Sequence, residues 1–344
     1  MFVRWDNLSV ETEEAQRPIP RLEGDVVVRT FEAPEAMGVR FHEVRAKSAL
    51  NKVHPAARMP FNYTVNPYRG CQHSCAYCFA RRTHTYLDLD PGRDFEREIV
   101  VKVNVPEKLR AELARPSWRR EQVALGTNTD PYQWVESRYK LMPGIWQALI
   151  DYETPGSLVS KSPLALRDTE LLKELAAGPG FQAFMSVPTL DERAWRETEP
   201  HTPSPRARIE AVRKLNEAGV PAGVLIAPLM PGINDTPEEV AEIVRLADDA
   251  GATGVGSVAL HLKGEVKHVF FEWLAQRRPE LLERYRELYA KGAYAPSVER
   301  KRLQALTQVP RRRRPRKPPR PIRGPEADRE VPRKAAAPKQ RSLF

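Results

Sequence analysis

Cys71-Gln-His-Ser-Cys75-Ala-Tyr-Cys78 holds the only three cysteines of a 344-residue chain, all within eight positions. No other feature constrains the fold as tightly, because one turn must bring three soft sulfur ligands to one place. Three thiolates at spacing x3 and then x2 can hold three irons of a [4Fe–4S] cube. No cysteine remains for the fourth iron, so that corner is open to water, substrate or a cofactor. An open iron permits chemistry, whereas a fully ligated cluster mainly carries electrons. Three plainer readings compete. A structural zinc would need a fourth ligand from His54, His73 or His84. The thiols could be buried and unreactive, since cysteine is often a small core hydrophobe. An electron-transfer cluster could take a non-cysteine fourth ligand. The polar, Pro- and Gly-flanked setting of the loop argues against plain core thiols.

The chain has no apolar run of membrane-spanning length. Its start, Met-Phe-Val-Arg-Trp-Asp, lacks a basic stretch followed by an apolar one, so no signal peptide is expected. An odd number of clustered cysteines does not make a disulfide framework. A reducing cytoplasm is the expected compartment. The net charge of +10 sits in one place: residues 307–344 carry 13 Lys and Arg against 3 Asp and Glu, and the rest balances.

Residues 1–60 read as an irregular N-terminal extension with one short strand near 23–30. Residues 58–67 read as a strand running into a turn, directly before the cysteine loop. Further strands are expected at Glu98–Val103, Val123–Gly126, Leu158–Ser160, Ala183–Val187, Gly223–Ala227 and Gly256–Leu260. Helices are expected at Cys75–Arg82, Glu107–Ala114, Gly144–Asp151, Asp168–Ala176, Ser204–Ala218 and Pro237–Ala250. Ser204 and either Asp235 or Thr236 are N-cap candidates, each followed by Pro. Gly219 and Gly251 suit left-handed C-terminal caps. Strand–helix alternation argues for a parallel sheet in an α/β fold. With the 62–66 strand counted and 98–103 set aside as peripheral, about six βα units span residues 61–265. Residues 266–306 read as an amphipathic helical layer with Trp273, Leu274, Leu281, Leu282, Tyr285, Leu288 and Tyr289 at helical spacing. From residue 307 the chain is Pro- and Arg-rich, cannot bury a core and is expected to be disordered.

Cys-x3-Cys-x2-Cys with Tyr77 before the last cysteine resembles the signature of the radical SAM superfamily. The segments Thr127-x-Thr129-Asp130-Pro-Tyr-Gln133 with Glu136, Val159-Ser-Lys-Ser162, Ser186-Val-Pro-Thr-Leu-Asp191, Glu199-Pro-x-Thr-Pro-Ser-Pro205 and Ala227-Pro-Leu-Met-Pro-Gly-Ile-Asn-Asp235 are similar to its spore photoproduct lyase-related branch. The resemblance covers roughly residues 60–265. It implies a partial (β/α)6 barrel, open along one side. It implies that Cys71, Cys75 and Cys78 ligate a [4Fe–4S] cluster and that S-adenosyl-L-methionine binds the open iron. It also implies reductive cleavage of that cofactor to a 5′-deoxyadenosyl radical, which abstracts hydrogen from a substrate. In parallel barrels the chemistry sits at the carboxyl ends of the strands, where the cysteine loop falls.

Polar residues at other strand ends become candidates on the same footing. Thr127, Asn128, Thr129 and Asp130 stand where the family usually has Gly-Gly-Glu, and would serve the methionine ammonium; a plain Asx-type turn is the alternative. Lys161 would pair the methionine carboxylate. Ser160 and Ser186 would meet cofactor hydroxyls, and Tyr77 belongs to the cluster motif. Glu199 is a ribose or substrate ligand that capping does not explain. Tyr132, Gln133 and His261 are substrate-side candidates. A small electron donor such as a flavodoxin or ferredoxin is the expected partner.

Lesion repair by spore photoproduct lyase uses a cysteine as hydrogen donor. This chain has none outside the loop, so photolesion repair is not expected, and no thiolates remain for a second cluster. The basic tail is suited to nucleic acid or to an acidic partner; residues 307–343 hold no aromatic residue for base stacking. A second class of function therefore stands beside the enzyme: an Fe–S or zinc protein that binds nucleic acid through its tail.

Overall fold

The computed structural model describes residues 10–13, 19, 22, 26–57 and 59–308. The expected disordered tail lies outside these residues, apart from its first two positions. In chain order the strands are β1 (Val10–Glu13), β2 (Val27–Phe31), β3 (Arg40–Val44), β4 (Leu50–Lys52), β5 (Tyr63–Val65) and β6 (Tyr68–Arg69). They continue as β7 (Glu98–Lys102), β8 (Val123–Leu125), β9 (Gly156–Ser160), β10 (Phe181–Ser186), β11 (Ala222–Leu229) and β12 (Val255–Ala259).

Seven strands make the larger sheet, in the order β12-β11-β10-β9-β8-β5-β4. From β5 to β12 every neighbouring pair is parallel; only β4 is antiparallel, at the edge. The sheet does not close on itself, so it is a six-unit parallel barrel open along one side: the alternation of strands and helices predicts the parallel sheet, and the family resemblance implies the open barrel. Leu125, Leu158, Met185, Val224 and Ile226 point outward into one core with Trp146, Leu149, Leu172, Val212 and Ile243 from the surrounding helices. Gly126, with φ +83°, shows how closely the strands pack. A Cβ there would fall 1.8 Å from the carbonyl oxygen of Val159.

Local chemistry sets the helix ends. Ser204 accepts from the amide of Ala207 at the start of Pro205–Glu217, and Thr236 accepts from Glu239 at the start of Pro237–Asp249. Thr236, not Asp235, is the cap. Gly219 and Gly251 follow in the left-handed region.

Two expectations need correction. The N-terminal region is not irregular throughout, because β1, β2 and β3 join β7 and β6 in a second, five-stranded sheet. Its strands carry charged residues. In the fold, Arg40 Nε and His42 Nε2 lie 3.0 and 2.7 Å from the Glu98 carboxylate, a partner 56 or more residues away. The second correction concerns Cys75–Arg82. Residues 71–78 form turns, and a 3-10 helix, Phe79–Leu87, follows. The carbonyls of Ser74 and Cys75 turn to the buried Arg81 guanidinium, at 3.0 Å each, instead of entering a helical ladder.

The helical layer is present as Val266–Arg277, Leu282–Leu288 and Ser297–Ala305. Phe270, Leu274, Tyr285 and Tyr289 pack with Met230, Leu260 and Leu262 against Cys75 and Tyr77. The layer therefore covers the cysteine loop. No helix among the described residues is long and apolar enough to cross a membrane.

Candidate active site

The chain after β5 makes one short pairing as β6 and turns at Gly70, whose φ is +90°. A Cβ there would meet the Phe95 carbonyl at 2.9 Å. The cysteine loop begins at the next residue. Cys71 and Cys75 are buried and Cys78 is half-buried. Burial pushes the Cys71 thiol up to about 12, Cys78 adds to it, and the backbone amides of Asp130 and His73 oppose it. Burial also raises Cys75, which feels both other sulfurs. The three thiols thus share one electrostatic neighbourhood.

That donor set fits a cubane. Each cysteine of a cubane holds a different iron, so the sulfurs need not meet at one point. A structural zinc needs four ligands on one ion. Among the described residues no three His, Cys, Asp or Glu side chains converge in that way. Of the histidines raised as zinc ligands, two have other partners and the third is exposed. His73 Nδ1 lies 3.4 Å from Asp130, His84 Nε2 lies 2.9 Å from the Glu98 carbonyl, and His54 is exposed. Burial lowers His73 to about 4, which keeps it neutral.

Arg81, which the sequence did not single out, is the main brace of the loop. Besides the carbonyls of Ser74 and Cys75, its guanidinium donates to Pro91 and Gly92 carbonyls and to the Glu96 carboxylate. Its sequence signal is faint: an arginine between apolar and polar neighbours just past the last cysteine.

The segment after β8 braces the loop from the other side. Thr129 Oγ1 and Gln133 Nε2 donate to the Gly70 carbonyl at 2.6 and 3.2 Å. Gln133 Oε1 accepts from the Gln72 amide at 3.0 Å. Both side chains are buried supports, and Gln133 does not face a substrate. Tyr132 is buried in the helix-side core, where its hydroxyl accepts from Trp146 and donates to Asp168 at 2.7 Å each. It is not substrate-side either. Asp130 accepts from Ser160 Oγ at 2.8 Å and from the Lys161 amide at 2.7 Å, so Ser160 is engaged. Thr127 is half-buried and Asn128 exposed at the end of β8.

Lys161, just past β9, and Glu199, in the connection from β10 to Pro205–Glu217, bring a charged group against Cys75. Glu199 is fully buried. One oxygen accepts from the Tyr77 hydroxyl and lies 3.8 Å from Lys161 Nζ, and the other lies 2.7 Å from Arg208. Burial works against its charge, yet Arg208 and Lys161 outweigh it and hold the carboxyl below its usual range. Burial likewise opposes the Lys161 ammonium, while Cys75 and Glu199 hold it above its usual value. Lys161 also sits 5.7 Å from the Tyr77 ring centroid and keeps 17% of its side chain accessible. Arg208, missed in the sequence, also donates to the Ser186 carbonyl at 2.9 Å. Ser186 Oγ donates to the Ala227 carbonyl at 3.0 Å.

His261 does not stand alone at the mouth. It stacks between Phe79 and Tyr294, on the flank of the cysteine loop. The structure thus brings together Cys71, Cys75, Cys78, Tyr77, Lys161 and Glu199. It uses Thr129, Asp130, Gln133 and Ser160 to hold the backbone around them.

Comparison with known proteins agrees with this geometry. The sequence profile of the radical SAM superfamily matches residues 65–247. An uncharacterized protein of Mycobacterium tuberculosis is 48% identical over 285 residues, covering 83% of this chain and 84% of its own. An uncharacterized protein of Methanocaldococcus jannaschii is 27% identical over 201 residues, 58% of this chain and 71% of its own. Spore photoproduct lyase complexed with dinucleoside spore photoproduct superposes with a TM-score of 0.56 at 17% identity, covering 78% of this chain and 77% of that one. A variant of that lyase with bound AdoMet and dinucleoside spore photoproduct gives 0.55 at 18%, covering 77% and 76%. At such identities the likeness is one of fold. A profile that matches more than half the chain, on a cysteine loop held at the carboxyl ends of parallel strands, makes this protein a member of the radical SAM superfamily.

Proposed function

We propose that this chain is a radical SAM enzyme. One observation carries the reading: the Lys161–Glu199–Tyr77 group is built against Cys75 at the open end of the barrel. A protein that worked only through its basic tail would have no use for a buried, charge-balanced group beside a metal loop. Cys71, Cys75 and Cys78 would hold three irons of a [4Fe–4S] cluster. When bound, the cluster and S-adenosylmethionine, given one electron by a flavodoxin or ferredoxin, would supply a 5′-deoxyadenosyl radical that takes hydrogen from a substrate.

The residues of the chain divide the remaining work. Lys161 is the one cation of the group with accessible surface, and it is suited to the methionine carboxylate. Glu199 and Tyr77 fix its position from behind, and Arg208 balances the second carboxylate oxygen. Thr127 and Asn128, at the accessible end of β8, are suited to the methionine ammonium. Asp130 ties the turns after β8 and β9 together. Phe270, Leu274, Leu260 and Met230 pack against the loop and keep water from that side. All three cysteines lie in the loop, so no thiol is left to return a hydrogen atom, and photolesion repair is not proposed.

The test is anaerobic. The protein is reconstituted with iron and sulfide and reduced, S-adenosylmethionine is added, and 5′-deoxyadenosine is quantified. Wild type should release it and Cys75→Ala should not. Lys161→Ala should lower the yield by about 10- to 100-fold, the worth of one charge-assisted contact. A loaded, reducible cluster whose electron paramagnetic resonance spectrum ignores S-adenosylmethionine would sink the reading.

A further inference from the structure

The helix Phe79–Leu87 leaves the last cysteine with two rings turned outward, Phe79 at 42% and Tyr86 at 61% exposure. His261, at the end of β12, lies against Phe79 with ring centroids 5.7 Å apart and against Tyr294 with centroids 5.8 Å apart. The planes are inclined by 33° and 22°. A backbone bridge between His261 and Tyr294 fixes that pair. Tyr294 is 58% exposed, and the Arg300 guanidinium sits 6.0 Å from its ring centroid. Burial lowers the His261 pKa, with Arg82 and Lys263 close enough to add to the effect, so the imidazole is a neutral ring at neutral pH.

Here two of the three members of a ladder face water, with three cations around them. Two exposed rings with cations beside them offer a face on which a flat ligand can stack. Carboxylates of an acidic protein would be served by the cations alone. Flat rings add a stacking face for a ligand that is itself flat. The chain also leaves the described residues close by. Thr307 Oγ1 lies 3.2 Å from Ser257 of β12, four residues before His261. Beyond Gln308, residues 309–344 add 13 Lys and Arg against 3 Asp and Glu. That stretch has charge for phosphates and, before Phe344, no aromatic ring for bases. The ladder has the rings.

We propose that the Phe79–His261–Tyr294 ladder is a stacking platform for single-stranded nucleic acid, with Arg82, Lys263 and Arg300 beside its phosphates. Unpaired bases expose the faces that such rings need, whereas a duplex hides them. Every base has such a face, so binding would depend little on sequence. The cations of 309–344 raise affinity through counterion release. This surface needs no reductant and stands apart from the radical chemistry.

The experiment uses the anaerobically reconstituted full-length chain and fluorescein-labelled single-stranded 20-mers of DNA and RNA, read by anisotropy across a salt series. Tyr294→Ala should weaken binding about 5- to 100-fold, the usual worth of one stacked base. Tyr294→Phe should restore it and Tyr294→Leu should not. The salt slope should persist in all three. Changing Arg311, Arg312, Arg313 and Arg314 together to Gln should flatten that slope by up to about 3 units. Phe79→Leu is a second ring deletion, read alongside circular dichroism. Equal affinity for wild type, Tyr294→Ala and Phe79→Leu would overturn the proposal and leave binding to the tail alone. So would no binding at low salt, or a preference for duplex of the same length.

Discussion

The segment 127–133 follows β8, and the segment 199–208 runs from the end of helix Glu192–Thr198 into Pro205–Glu217; both are polar, and both held candidate site residues in the sequence. The fold uses them differently. Thr129 and Gln133 spend their neutral groups on the backbone of the cysteine loop, at Gly70 and Gln72. Glu199 and Arg208 make a buried ion pair next to Cys75, with Lys161 at its accessible edge. The first segment sets where the loop lies. The second sets the electrostatics beside it. Neutral hydrogen bonds contribute about 1 kcal/mol each, whereas an unpaired buried charge costs several times that. Substitutions in the two segments should therefore differ in size and in what they disturb.

The largest effect is expected at Glu199. Glu199→Ala leaves Arg208 buried without its carboxylate and should lower the unfolding free energy by about 3–5 kcal/mol in urea titration. A loss below about 1 kcal/mol would break the comparison, because the charged segment would then be no stronger than the neutral one. Gln133→Leu comes next. It strands the Gln72 amide and takes one donor from the Gly70 carbonyl, and should cost about 1–3 kcal/mol. Iron bound per chain after reconstitution should fall with it, since the loop carries all three ligands. Tyr132→Phe sharpens the contrast one residue away. It removes the Trp146 and Asp168 contacts at about 1–2 kcal/mol but should leave iron content unchanged, because its hydroxyl faces the helix-side core.

The smallest effect is a pH dependence in the second sheet. Burial opposes the Glu98 charge, but His42 and Arg40 outweigh it and hold its pKa below the usual value. A carboxylate lowered in the folded state adds stability above its unfolded value, near pH 4.3, and loses it as pH falls through the folded one. Wild type and Glu98→Gln should therefore differ most near neutrality and converge below about pH 4 in acid-denaturation curves. A constant gap across that range would mean that the charge on Glu98 contributes nothing.

Much of the architecture was legible because its signals are local. The caps at Ser204 and Thr236 act over three residues. The six βα units show as alternating apolar runs, and the helical layer shows as Leu and aromatic residues at helical spacing. The strand β3 was harder, since its Arg40 and His42 pair with Glu98 of β7 far along the chain. In the site, Cys71, Cys75, Cys78, Lys161 and Glu199 could be named from type and place. Arg81 and Arg208 could not, because an arginine looks alike on a surface and in a core until its acceptors are known.

By itself, then, the sequence determined the three-thiol loop, the parallel barrel and the family, all of them patterns within a few residues or a regular repeat. Tertiary structure alone decided the rest. Only folding sets Tyr77 against Glu199 across 122 positions, or Gln72 against Gln133 across 61. Only folding lays Phe79, His261 and Tyr294 in one stack. Such contacts arise from how strands and helices pack in space, and no spacing along the chain encodes them.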